Sequence, residues 1–240
     1  MTNLSGPFQA ANDCKESIIT ITYYTDPLCC WSHAMAPSIR ELRSALGGLL
    51  SWRYCMGGLI PSWDNFSDPV NSVTRPLQMG PVWMHASKVS GVPIDQNLWF
   101  RDPPASSYPA CIAFKCVELQ SGDYATGFLE LLWEKCMVAG INISDEDQLL
   151  KIAYEFNRAN PSFDLKRFSN DFSNGNGRNA FSDDVQEVKA RNITRFPTMI
   201  FRKQNNPSLI ITGYRPFSAL MKVVKKLIPD AESEETNAKC

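Results

Sequence analysis

The sequence predicts an α/β protein in which a small sheet is interrupted by a long all-helical insertion. Three observations predict it. Residues 18–56 read as strand, helix, strand. Residues 195–227 read as strand, strand, helix. Between them, about residues 64–190, almost nothing has the β-branched, alternating character of a strand. The expected organisation is a flexible tail over 1–17, a discontinuous sheet domain over 18–63 and 191–229, a helical insertion domain over 64–190, and a disordered acidic tail over 230–240.

Each element has its own signal. Ile18-Ile19-Thr20-Ile21-Thr22-Tyr23-Tyr24 is β-branched and aromatic, as strands are. Over 31–46, Met35, Ile39, Leu42 and Leu46 recur at helical spacing, and Gly47-Gly48 stops the helix. Residues 49–56 form a second strand before Gly57-Gly58. A helix this short between two strands implies a parallel pair with a right-handed crossover. Helices are predicted over 81–89, over 108–120 with Pro109 in the first turn, and over 125–138. Another is opened by Ser144-Asp145-Glu146-Asp147 and runs to 157, its acids suited to a helix N-terminus. Two more cover 164–172, ending in Asn174-Gly175-Asn176-Gly177, and 183–191. Strands follow at 195–202 and 208–212, turned by Asn205-Asn206-Pro207, and an amphipathic helix at 217–227 closes the pattern.

Composition narrows the function classes. The 240 residues are 44% hydrophobic and 20% charged, with a net charge of −1, so there is no electrostatic case for nucleic acid or an anionic membrane. The polar first seventeen residues lack the pattern of a secretory signal, and no segment approaches a membrane span, so the expected location is the cytoplasm. There the eight cysteines are expected as free thiols. With His33 and His85 the only histidines and no paired Cys-x-x-Cys, no metal site is expected.

The first strand runs into Asp26-Pro27-Leu28-Cys29-Cys30-Trp31-Ser32-His33. A cysteine where a strand becomes a helix meets the partial positive charge and unpaired N–H groups of the helix N-terminus, both of which favour thiolate over thiol. Cys29 is therefore the expected nucleophile. Ser32 stands where a two-cysteine redox motif has its second thiol, and its hydroxyl could donate to a Cys29 thiolate. Cys30 is expected to face solvent, His33 could favour the thiolate if protonated, and Trp31 offers an aromatic wall. Far along the chain, Phe196-Pro197-Thr198 opens the third strand.

This order of elements, with Cys29 and Phe196-Pro197-Thr198 as anchors, resembles the DsbA-like branch of the thioredoxin fold. It is most similar to the FrnE and isomerase-type members, in which Asp-Pro precedes Cys-x-x-Cys. The resemblance implies a thioredoxin fold with a helical insertion over about residues 18–228. It implies that Pro197 follows a cis peptide bond and faces Cys29, leaving the Phe196 backbone to pair with an extended substrate. It also places the start of the insertion beside the active cleft, which makes Cys111 the candidate for a distant resolving thiol.

Three functions follow as expectations. The first is thiol-disulfide exchange through the single thiol of Cys29, acting on a disulfide-containing or glutathionylated protein or small thiol. No cofactor is bound, and glutathione serves as co-substrate. The second is a glutathione-dependent transferase or isomerase of the kappa type, but those proteins carry serine at the position of Cys29. The third is a non-enzymatic adaptor that presents a partner to a protease, with a surface around Trp31, Trp63 and Trp83.

Overall fold

The computed structural model describes residues 19–228. The expected tails over 1–17 and 230–240 lie outside them. A four-stranded sheet has the order β2-β1-β3-β4. Strand β1 (Ile19–Thr25) pairs in parallel with β2 (Leu50–Met56) and antiparallel with β3 (Thr198–Lys203), which pairs antiparallel with β4 (Leu209–Thr212). Being central, β1 is buried on both faces and so reads as a nearly continuous apolar run.

Helices α1 (Cys30–Leu46) and α9 (Phe217–Leu227) pack together on one face, where Ile19, Ile21 and Tyr23 join the main core. Between β2 and β3 lie α2 (Met79–Ser90), the single turn α3 (Leu98–Arg101), α4 (Tyr108–Glu118), α5 (Gly122–Trp133), α6 (Glu146–Ala159), α7 (Leu165–Ser173) and α8 (Asn176–Ala190). Helix α5 runs on into a π-helical turn, Glu134–Val138. The inserted helices and the sheet share one hydrophobic cluster.

Among the boundaries that differ from expectation, two do so for clear local reasons. The strand predicted from 195 begins at Thr198, because the Thr198 hydroxyl folds back onto the Arg195 carbonyl at 2.8 Å and residues 195–197 form a bend. The helix predicted from 183 begins at Asn176. The Asn-Gly-Asn-Gly run is a start there as well as a stop: Gly175, at φ 93°, caps α8 in the left-handed conformation. Gly177 lies against α4, where a Cβ would overlap the Cys116 sulfur and come 3.0 Å from the Ile112 carbonyl oxygen.

Helix α8 is bound to the second face of the sheet by charge. Glu187 accepts from the Tyr24 hydroxyl at 2.6 Å, from both Arg53 guanidinium nitrogens and from Arg191 Nε at 2.9 Å. Asp184 accepts from the Met56 N–H at 2.8 Å and pairs with Lys115 at 3.1 Å. Arg53, with help from Tyr24 and Arg191, holds the Glu187 carboxyl down at about 2, against a usual 4.5. A carboxyl depressed in the folded state adds stability above its unfolded value and loses it as pH falls through the folded one. The melting-temperature difference between wild type and Glu187→Gln is therefore expected to be constant above about pH 5 and to vanish toward pH 2. A pH-independent difference in thermal melts would contradict this.

Candidate thiol site and binding groove

Strand β1 ends at Thr25, and Asp26-Pro27-Leu28 turns the chain into α1, with the Cys29 N–H donating to the Asp26 carbonyl at 3.0 Å. Cys29 is the N-cap of α1, in extended conformation at φ −81°, ψ 103°. Its carbonyl accepts from the N–H groups of Ser32 and His33, and its sulfur faces the N–H groups of Trp31 and Ser32 and the Ser32 hydroxyl. All of these favour a thiolate. Burial works the other way and is larger, since Cys29 is only 5% exposed. The thiol is pushed up to about 11, with the Asp26 carboxylate adding to the rise. The expected tilt toward thiolate at the helix N-terminus is thereby reversed: desolvation outweighs the helix end in the free protein.

Asp26 is the residue that sequence reasoning left without a role. It is fully buried and accepts four hydrogen bonds. Oδ1 takes the Leu28 N–H at 2.8 Å, while Oδ2 takes the Leu59 N–H at 2.7 Å, the Ser107 hydroxyl at 2.9 Å and the Cys111 thiol at 3.4 Å. One carboxylate thereby ties the Cys29 turn, the loop after β2 and the start of α4 together. Burial raises this carboxyl against the pull of its donors.

Above Cys29 lies a groove of about 970 Å³. Cys29 and Cys30 line it together with Trp31, Leu59, Phe66, Val82, Phe196 and Tyr214. Trp31 meets His85 edge-on at 5.5 Å and Tyr214 at 6.0 Å between ring centroids. The Phe196–Pro197 peptide bond is cis. Among the described residues, neither the N–H nor the C=O of Phe196 has a backbone hydrogen-bond partner. The ring of Phe196 lies on Gly57, so close that any Cβ there would overlap it. Gly57 and Gly58 are thus more than a strand terminator: one makes room for Phe196, and the other sits at φ 63° against Tyr108 and Phe181.

The remaining candidates fall in different places. Ser32 is fully buried beneath Cys29, and Pro197 is buried beside Phe196. Cys30, expected to face solvent, is 3% exposed and packs in the main core, because it opens α1 on the inner face of that helix. His33 does not line the groove. Its Nε2 lies 3.3 Å from the Pro93 carbonyl, its ring packs near Trp133, and burial lowers its pKa, so it contributes no positive charge to Cys29. Cys111 is fully buried with its thiol committed to Asp26, and both burial and that carboxylate hold it protonated. This geometry makes it a brace of the Asp26 cluster and gives it no path into the groove. The six described cysteines are all unbridged. Trp83 is fully buried against Trp99, while Trp31 and Trp63 are half-buried.

A strand-to-helix cysteine facing a cis-proline loop, with helices inserted between β2 and β3, defines the DsbA-like form of the thioredoxin fold. The chain belongs to the thioredoxin family, whose model matches residues 23–222. Among solved structures it is similar to a candidate protein disulfide isomerase from Nitrosomonas europaea, at TM-score 0.73 and 20% identity over 89% of this chain and 98% of the other. It is also similar to the cytosolic disulfide reductase DsbM from Pseudomonas aeruginosa, at TM-score 0.64 and 19% identity over 87% and 99%. By sequence it is 26% identical over 218 residues to the ClpXP adapter protein SpxH of Halalkalibacterium halodurans, covering 89% of this chain and 69% of that one. No helix among the described residues is long and apolar enough to cross a membrane.

Proposed function

We propose that this protein binds an extended, cysteine-bearing segment of a protein partner in the groove and exchanges disulfides through Cys29 alone. The observation that carries the reading is Cys29 at the α1 N-cap on the groove floor, with Phe196 opposite and a serine in place of the second thiol. In the reaction, the Cys29 thiolate attacks one sulfur of the partner disulfide. The S–S bond breaks, a mixed disulfide forms, and the other sulfur leaves as a thiolate that takes a proton from water. An external thiol such as glutathione then attacks the partner sulfur of the mixed disulfide, releasing the Cys29 thiolate and leaving a glutathione–partner disulfide. A second glutathione reduces this to the partner thiol and glutathione disulfide; in isomerisation a second partner thiol attacks instead and forms a new partner disulfide. Two electrons enter with the external thiols, so the cycle suits reduction or isomerisation.

A second reading, binding without turnover, is favoured by the buried, high-pKa Cys29 thiol and by the adapter named in the related sequence. In that reading the groove holds a partner for delivery to a ClpXP-type protease. Exposure to glutathione disulfide followed by peptide mass spectrometry separates the two. The exchange reading predicts an adduct on Cys29, absent in Cys29→Ala, and no internal disulfide. A folded protein left unmodified at Cys29, while the denatured chain reacts, would leave the binding reading standing alone.

A further inference from the structure

Three hydroxyls lie buried under Cys29, facing one another without closing a hydrogen bond. Tyr23 and Thr25 sit two apart on β1 and so point to the same face, toward α1. Ser32 comes down from the first turn of α1, one turn beyond Cys29. All three side chains are at most 1% exposed. The Tyr23 hydroxyl faces those of Ser32 and Thr25, and Ser32 in turn faces the Cys29 sulfur. Yet Tyr23 Oη, Thr25 Oγ1 and Ser32 Oγ have no hydrogen-bond partner among the described residues.

Buried polar atoms without partners are rare and cost stability, so three together call for an explanation. Packing does not supply one, since phenylalanine, valine and alanine would fill the same positions without the cost. A state in which the hydroxyls do find a partner supplies one. The line they form ends on the Cys29 sulfur, which Ser32 alone of the three faces, and the only charge that atom can acquire is negative.

We infer that Tyr23, Thr25 and Ser32 are a prebuilt acceptor for the Cys29 thiolate, in which Ser32 Oγ donates to the sulfur and Tyr23 Oη donates to Ser32 Oγ. Thr25, beside Tyr23, orients its hydroxyl. No proton is transferred; the thiol proton leaves for solvent, and two hydrogen bonds that the thiol form lacks are made to and behind the thiolate. Donors held ready where charge appears need no reorganisation when it does. Ser32 touches the reacting sulfur, whereas Tyr23 acts through Ser32 and is a positioning residue. This rests on the exchange reading of Cys29 and deepens it. The other titratable groups around the sulfur are Asp26 in the preceding turn, Cys30 on α1 and Tyr54 beyond Tyr23, with His85 and Arg195 across the groove.

The test is the rate of Cys29 alkylation by iodoacetamide against pH in the full chain, mapped to the Cys29 peptide, for wild type, Ser32→Ala, Tyr23→Phe and the double variant. A hydrogen bond to a charged group supports about a tenfold slowing for Ser32→Ala at fixed pH. Tyr23→Phe is expected to slow the reaction several-fold, and the double variant to be no slower than Ser32→Ala, since Tyr23 works through that serine. Meanwhile the urea midpoints of the reduced variants should equal or exceed that of wild type, because each loses an unpartnered hydroxyl. Wild-type alkylation rates for Tyr23→Phe, multiplying effects in the double variant, or lowered urea midpoints would overturn the proposal. Slowed variants in a protein that gives no glutathione adduct would sink the exchange reading alone, and an adduct with unchanged variants would sink the hydroxyl cluster alone.

Discussion

Asp26→Ala is expected to destabilise this protein by about 3–5 kcal/mol: two backbone N–H groups and one hydroxyl lose their acceptor at about 1–3 kcal/mol each, less what is regained by removing a buried carboxylate. The groups are the N–H of Leu28, the N–H of Leu59 and the hydroxyl of Ser107, all now held by one carboxylate. The Cys111 thiol, a weaker donor, loses its acceptor too. For a chain of this size, a loss of that order lowers the melting temperature by about 10 °C. Asp26→Asn should fall between the two, because one amide oxygen can still serve donors while the NH₂ group meets others head-on. Chemical denaturation reads both variants. An alanine variant within about 1 kcal/mol of wild type would show that water replaces the carboxylate, and the hub argument would fail.

Gly57→Ala has the largest expected effect on the groove itself. The added Cβ occupies space held by the Phe196 ring, so the ring must leave its seat on the loop and turn into the groove. The backbone at Gly57, unlike that at Gly58, is not in the left-handed region, so the whole penalty is steric. Overpacking of this kind costs about 1–3 kcal/mol. The companion variant makes the argument specific: in a Phe196→Ala background, Gly57→Ala should cost under about 0.5 kcal/mol, a coupling read directly from a double-mutant cycle. Formation of the glutathione adduct on Cys29 should slow at least tenfold in Gly57→Ala, while in the double variant it should match the rate of Phe196→Ala alone. A penalty that persists without the Phe196 ring would place the strain elsewhere.

Much of the frame was legible because periodicity reports burial. The apolar positions of α1 and the β-branched run of β1 face the core as their spacing implies. Helix starts were less legible. Asp145, the residue after Ser144, caps α6, its side chain taking the Asp147 N–H. The polar first turns of α8 gave no apolar stripe to mark them, while Gly177 records only how closely α4 passes. Within the site, Cys29, Trp31 and Phe196 were visible as motif residues. The burial of Cys30 and the turn of His33 away from the groove, toward Trp133 and Pro93, depend on the rotation of α1 about its axis, which the motif does not encode. Asp26 was visible as a letter in the motif but not as a hub, because its four donors come from three separate stretches of chain. A charged residue between Thr25 and Leu28, at the end of a strand buried from Ile21 onward, was the one available signal.

The strand order has a consequence for the protein as it is being made. On the ribosome, β1, α1 and β2 emerge together and can pair at once, so Cys29 is present early. The other neighbour of β1 is β3, and the whole helical insertion must be synthesised before it appears. Until then one side of the central strand is bare, and Cys29 has no Phe196 wall and no groove. Pairings this distant in sequence close slowly. The nascent chain therefore carries the Cys29 thiol long before the groove that covers it, which is completed only with the last strands.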